Sequence, residues 1–234
     1  MLVDSHCHLD SFERVEIPPN FIVFTCGYSH SSNQKNALIA KTHENAYATL
    51  GIAPQTAQAE ENPEASLPLW ENFIKSAFPC AIGEIGLDFH WAKQEVQKKR
   101  QYFCFNSMLS LASSLSLPVV LHCRDAYPEL FEVLKTHKRK NFMLHCFSGT
   151  ESDAKKAIDL GGIISIPPIP SKKRKKAIIE AGIKNVVAET DAPYIGKTLN
   201  DINLSLKIIS DAFKIGQEEA QEATSSNARK FFRV

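Results

Sequence analysis

The sequence lacks an excess of charge of either sign: across 234 residues, 27 lysines and arginines stand against 26 aspartates and glutamates, a formal net charge of +1. That balance argues against a polybasic protein that coats nucleic acid and leaves only local basic clusters to consider. The six cysteines include no CxxC pair and form no disulfide-framework spacing, which points to reduced thiols and a cytoplasmic setting. No apolar run approaches the length of a membrane span, and the chain reaches Asp4 and His6 without the basic and apolar segments of a secretory signal. Nothing in the composition suggests disorder. With 44% hydrophobic and 23% charged residues, the expectation is a soluble protein with one sizeable core and no obligate protein partner.

What is present is an alternation of short β-rich runs with longer segments of helical period. The runs begin near Val3, Phe21, Ala46, Cys80, Leu117, Phe142, Gly162 and Asn185. Helices are expected from Ser31 to about Glu44, from Leu67, and over 94–116, where Phe105, Met108, Leu109, Ala112 and Leu115 share one face that belongs to the core. Residues 55–66 are polar with little period and read as a surface loop. Asp125 is placed to cap one helix, and Thr150 with Asp153 to form a capping box on the next. Two amphipathic helices finish the chain, with Leu206, Ile209 and Phe213 inward in the first and Ala220, Ala223, Asn227 and Phe231 inward in the second.

The polar residues in these apolar runs decide the architecture. In Val3-Asp4-Ser5-His6-Cys7-His8, strand alternation points His6 and His8 the same way, and two converging imidazoles make half of a divalent-metal site. Glu84 lies inside the apolar run Cys80–Asp88, where a lone carboxylate is costly without a cation or hydrogen-bond donors. His122, His145 and Asp191 also fall near the C-terminal ends of predicted strands. Such a distribution suits an α/β fold of the (β/α)8 TIM-like barrel type, a single domain over residues 1–234, where closure sets the first and eighth strands side by side. An open doubly wound sheet is the competing arrangement. Cys7, Cys123 and Cys146 each follow a candidate histidine, so alternation turns them toward the helix layer as small buried hydrophobes.

Five segments, D-S-H-C-H-L-D, G-E-I-G-L-D, L-H-C-R-D-A, H-C-F-S-G and E-T-D-A-P-Y, in this order and spacing, closely resemble the TatD family of metal-dependent hydrolases within the amidohydrolase superfamily. The resemblance runs from Val3 to the C-terminal helices. It implies a TIM-like barrel of the metallo-dependent hydrolase type, with His6, His8, Glu84, His122, His145 and Asp191 as metal ligands. It also implies a deoxyribonuclease, often exonucleolytic, although some relatives hydrolyse D-aminoacyl-tRNA esters. The chain departs from the family pattern in a short segment between Ser165 and Asn185 and in Asn200-Asp201-Ile202, so the resemblance constrains metal binding more tightly than substrate.

That ligand set suits Zn, Mn, Ni or Fe(II) and, less readily, Mg. The expected arrangement has His6, His8 and Asp191 holding one ion, His122 and His145 a second, and Glu84 bridging; the pair would clamp an in-line displacement at a phosphodiester. Asp191 and Glu84 are the catalytic candidates, with Asp191 taking the proton of the attacking water. For substrate contact the candidates are Arg124, which either meets a phosphate or pairs with Asp88 or Glu189, and His90 after the fourth strand. Lys172 and Lys173 open the run Lys172–Lys176, which is either a solvated helix face or a track for a nucleic-acid backbone. Lys93 and Lys197 are weaker rim candidates. Three functions follow: a nuclease on DNA or another phosphodiester, an esterase on D-aminoacyl-tRNA, and a non-catalytic nucleic-acid-binding scaffold.

Overall fold

The structure, a computed structural model, describes residues 1–234. Its strands are β1 (Leu2–Cys7), β2 (Phe21–Cys26), β3 (Ala46–Leu50), β4 (Ala81–Asp88), β5 (Val119–Arg124), β6 (Phe142–Leu144), β7 (Gly162–Ile166) and β8 (Val186–Ala188). The helices are α1 (His30–Thr42), α2 (Pro54–Ala59), α3 (Pro63–Ala77), α4 (Glu95–Ser114), α5 (Tyr127–Thr136), α6 (Glu151–Asp159), α7 (Lys172–Ala181), α8 (Ile202–Phe213) and α9 (Gln217–Phe232). All eight strands are parallel and follow one another in sequence order around the sheet. Each is buried on both sides, as a parallel sheet sheathed in crossover helices must be.

The ring closes between β8 and β1 just beyond the short eighth strand. Asp191 N–H donates to the His6 carbonyl at 2.9 Å and His8 N–H to the Ala192 carbonyl at 2.8 Å. Below them the Ser5 hydroxyl donates to the Ala188 carbonyl, and the buried Asp4 carboxylate accepts from both the backbone and the hydroxyl of Thr190. Burial pushes the Asp4 carboxyl up to about 7, against the pull of those donors. The barrel, rather than the open sheet, is the arrangement found.

Two apolar sets divide the strands between an inner and an outer face. Along β5, Val119 and Leu121 pack with the helices, whereas Val120 joins Val3, Phe24, Ala81, Met143 and Val187 inside, closed off by Ala228, Phe231 and Phe232 of α9. Phe24 and Phe232 stack with ring centroids 3.6 Å apart. Val3 and His6 are three residues apart, as are Ala81 and Glu84, so a regular strand would turn the members of each pair to opposite faces. The register slips between Asp4 and Cys7 in β1 and between Ile82 and Ile85 in β4. Each slip adds one residue, so His6 and Glu84 face inward above an apolar floor that is also inward. In β4 the glycine at 86 takes φ +140, and a Cβ there would lie 2.1 Å from the His122 carbonyl oxygen. That close approach presses β4 against β5 beside His122.

Three local expectations need correction. Residues 55–66 are largely helical: Pro54 starts α2 and Pro63 starts α3, with Asn62 accepting from the Ala65 amide. Both prolines stand where the missing N–H costs nothing, and these starts carry more information than the weak period. Asp125 is not a cap; Ala126 occupies that position with no side-chain bond, while Asp125 itself adopts φ 55 and turns its carboxylate to His90. In α9 Ala220 and Phe231 face inward as expected, but Thr224, Ser225, Ala228 and Phe232 complete the buried face in place of Ala223 and Asn227. The Thr150–Asp153 capping box forms as expected.

Phe232 is 3% exposed and seals the lower end of the barrel. Phe232→Ala should lower unfolding stability by about 3–5 kcal/mol, read from urea denaturation followed by circular dichroism; a loss under about 1 kcal/mol would show that α9 does not plug the core.

Candidate metal centre

The structure brings all six expected ligands together at the C-terminal end of the barrel: His6 and His8 around the end of β1, Glu84 in β4, His122 in β5, His145 after β6 and Asp191 after β8. Glu84 is the hub. Its Oε2 lies 3.6 Å from His6 Nε2, 3.9 Å from His8 Nε2 and 3.6 Å from His145 Nε2, and its Oε1 lies 3.3 Å from His122 Nδ1. Asp191 Oδ1 approaches His8 Nε2 at 3.3 Å and His6 Nε2 at 3.7 Å. The His6 and His145 rings stack at 4.0 Å.

The imidazoles are aimed by what lies behind them. His8 Nδ1–H donates to the Cys26 carbonyl at 2.8 Å, which leaves the Nε2 lone pair directed at Asp191. His122 does the reverse. Its Nε2–H donates to Asp88 Oδ2 at 2.9 Å and leaves Nδ1 directed at Glu84. Backing groups of this kind fix the ring and the tautomer of a metal-binding histidine. Asp88 is in turn held by its own N–H on Gln101 and by the Gln55 amide and the Trp91 N–H on its carboxylate. Asp191 and Cys146 sit at φ 49 and φ 45, a left-handed conformation uncommon for such residues and one that marks the strand-to-loop corners at the site.

Electrostatics favour a cation in this space. Burial opposes ionisation of Glu84, but His145, His122 and His6 outweigh it and hold its carboxyl well below the usual carboxylate range. Burial likewise opposes charge on His122, yet Asp88 and Glu84 draw its pKa up to about 10. The carboxylates that hold a proton on His122 offer the same attraction to a metal ion. His6 and His145 are pushed down, mainly by burial, and the Nδ1 atoms of both are buried without a hydrogen-bond partner.

These donors fit divalent metal. Within His6, His8 and Asp191 the potential ligand atoms all lie within 4.8 Å of one another, and the same holds for Glu84, His122 and His145. Neutral imidazole nitrogen with carboxylate oxygen is the chemistry that first-row divalent ions accept. Above them opens a cavity of about 280 Å³ lined by His8, Tyr28, Gln55, Glu84, His122, His145, Asp191 and Tyr194. The hydroxyls of Tyr28 and Tyr194 are 3.4 Å apart.

None of the substrate candidates lines the cavity; Arg124 and His90 gather instead around the Trp91 ring. Arg124 pairs with neither Asp88 nor Glu189: Asp88 is engaged by His122, while Glu189 is buried and accepts from the Cys146 amide and the Ser165 hydroxyl. Its guanidinium lies instead over the exposed Trp91 ring, 5.9 Å from the centroid. His90 Nδ1 stands 3.3 Å from Asp125 at the rim. Lys173 donates to the Ser148 carbonyl, Lys172 is exposed, and Arg174 turns inward to the Phe147 and Ile169 carbonyls. Arg174 thus leaves the run's solvated side, on which Lys172, Lys173, Lys175 and Lys176 remain exposed. Lys93 is spent on the Phe89 carbonyl, while Lys197 is exposed.

Cys7 and Cys123 lie among the outer apolar set as expected, and all six cysteines are free. Cys146 is only partly buried, because the left-handed turn interrupts the alternation. Sequence reading missed three contributors. Asp88 was visible as the acidic end of β4 but not as the partner of His122; Tyr28 carried no signal; and the Cys26 sulfur comes within 4.8 Å of ligand atoms of His6 and Glu84.

A sequential parallel barrel with imidazoles and carboxylates gathered at its C-terminal rim defines a class, that of barrel hydrolases built around divalent metal. The family model for TatD related DNase matches residues 3–233, and the chain belongs to that family. Among relatives, human Deoxyribonuclease TATDN3 is 28% identical over 99% of this chain and 94% of its own length. An uncharacterized metal-dependent hydrolase, MJ1582 of Methanocaldococcus jannaschii, is 30% identical over 99% and 96%. The 3'-5' ssDNA/RNA exonuclease TatD of Cronobacter sakazakii is 33% identical over 74% of this chain and 67% of its own length. The crystal structure of YJJV, a TatD homolog from Escherichia coli K12, shares the fold with a TM-score of 0.85 at 22% identity, covering 100% of this chain and 98% of that one. The chain is thus a divalent-metal-dependent hydrolase of the TatD type.

Asp88→Ala removes the acceptor that orients His122 and should weaken Mn²⁺ binding about 10- to 100-fold, measured by calorimetric titration of metal-stripped protein. Unchanged affinity would show that Asp88 does not aim the ring.

Proposed function

We propose that this chain is a two-ion deoxyribonuclease that removes nucleotides from single-stranded DNA ends, the whole of residues 1–234 forming one catalytic barrel domain. Glu84 carries the reading: one carboxylate faces both ligand groups, His6 and His8 with Asp191 on one side and His122 with His145 on the other. In this proposal His6, His8 and Asp191 would hold one ion of Zn, Mn, Ni, Fe(II) or Mg, His122 and His145 the second, and Glu84 would be shared between them. Bound ions supply Lewis acidity to the phosphoryl group and make water acidic enough to attack at neutral pH.

The chain's own groups do the rest. Asp191 reaches into the cavity between His8 and His6, where its carboxylate accepts the proton of the attacking water. Glu84 keeps the two halves of the centre in one fixed geometry. The Tyr28 and Tyr194 hydroxyls stand on the wall as donors for phosphate or sugar oxygens. At about 280 Å³ the cavity is open and suited to a terminal group rather than a duplex. Nucleases among the relatives, including one named for action on single-stranded DNA and RNA, support phosphodiester cleavage over ester hydrolysis on tRNA. No helix is long and apolar enough to cross a membrane, and six unpaired cysteines suit the reducing cytoplasm proposed as its setting.

Cleavage of a 5'-labelled single-stranded oligonucleotide, followed on gels with Mg, Mn and Zn in turn, tests the proposal, with D-aminoacyl-tRNA as the competing substrate. DNA degradation should stop on chelation and return with metal. Glu84→Gln should lower kcat/KM about 1,000-fold, several kcal/mol of transition-state stabilisation. Unaltered cleavage by that variant, or faster turnover of the tRNA ester than of DNA, would contradict it.

A further inference from the structure

Beside the mouth stands an aromatic and cationic pair that the reaction above does not use. Trp91 is one of two tryptophans in the chain; Trp70 is buried in the core, whereas Trp91 is 57% exposed. Its position is nonetheless tied down. The backbone N–H of Trp91 donates to Asp88 Oδ1 at 3.2 Å, the same carboxylate that holds His122, which fixes where the chain presents the ring. Arg124, whose guanidinium lies over the indole, stands opposite Asp88 in the backbone register of β4 and β5 and lies two residues beyond His122. The His90 ring meets the indole edge-on at 4.9 Å, steadied by Asp125. The two residues of the pair are thus each one short link from the metal centre.

The charge at this spot is also free of any ion pair. Arg124 forms no ion pair, because Asp88 is turned to His122 and Asp125 to His90. Resting on its indole, the guanidinium keeps a positive charge and several N–H donors facing solvent, while much of the indole is open. A flat ring beside an exposed cation that forms no ion pair is the surface that binds an unpaired nucleotide, the base stacking and the phosphate meeting the charge.

We propose that Trp91 and Arg124 form the seat for a nucleobase next to the scissile phosphate, and that this seat gives the enzyme its demand for unpaired strands. A base still stacked and paired in a duplex has no free face to lay on the indole, so double-stranded ends must fray before they are accepted. The inference rests on the nuclease reading given above but has its own test.

Rates are measured on a single-stranded oligonucleotide with every base present and on the same strand carrying an abasic residue at the terminal or penultimate position. In the wild-type enzyme one of the two abasic strands should lose about 5- to 100-fold in kcat/KM, mostly through KM. Trp91→Ala should lower kcat/KM on the intact strand by a similar factor and erase the difference between intact and abasic strands, whereas Trp91→Phe should restore it. Arg124→Gln should raise KM and reduce the salt dependence of binding by about one phosphate contact. An active Trp91→Ala enzyme that keeps the full abasic penalty overturns this seat and leaves the nuclease reading standing. Protein that cleaves no strand with any metal overturns both.

Discussion

One carboxylate in contact range of four imidazoles is the constraint on which the rest of the molecule depends. Glu84 has histidine nitrogens at 3.3, 3.6, 3.6 and 3.9 Å, contributed by three different strands or strand ends. Packing so many polar groups away from water is unfavourable unless something charged lies among them. The fold therefore has to deliver every donor to one point, and it backs His8 with the Cys26 carbonyl and His122 with Asp88. The slips in β1 and β4 are the means by which His6 and Glu84 face the centre while Val3 and Ala81, lower on the same strands, still face the core.

Closure matters as much as convergence. Asp191 can meet His6 and His8 only because the chain after β8 bonds directly to β1, through the His6 and Ala192 carbonyls and through Asp4 on Thr190. The left-handed turn at Asp191 then swings its side chain over the barrel end. Stability and chemistry meet at this seam: Asp4 and Thr190 join the ends of the sheet one or two residues from the ligands. At the opposite end, Phe231 and Phe232 fill the barrel from below, leaving the upper rim free for the site, the usual division of labour in this architecture.

The strand order, the barrel and the six converging residues were legible in the sequence because each is written in short-range pattern: apolar runs at regular spacing, with a histidine or acid at the end of a run. The parts that were not legible depend on contacts between runs. Asp88 looked like a possible partner for Arg124, which does stand opposite it in the β4–β5 register, but the Asp88 carboxylate turns back to His122. Tyr28 and Cys26 gain their place only when β2 is laid beside β1. Arg174 sits in a run of lysines that reads as solvent-facing, yet it reaches back to carbonyls of neighbouring loops. The helices over 55–66 were hidden because α2 spans only six residues, too short for a period to show.

The central claim, that Glu84 is shared between two ions, is tested most directly by anomalous diffraction from crystals of the protein grown with Zn²⁺ or Mn²⁺. The account predicts two peaks about 3.5–4 Å apart, one among His6, His8 and Asp191, the other beside His122 and His145, with Glu84 between them. A single peak that Glu84 does not touch, or no peak among these six residues at saturating metal, would contradict it.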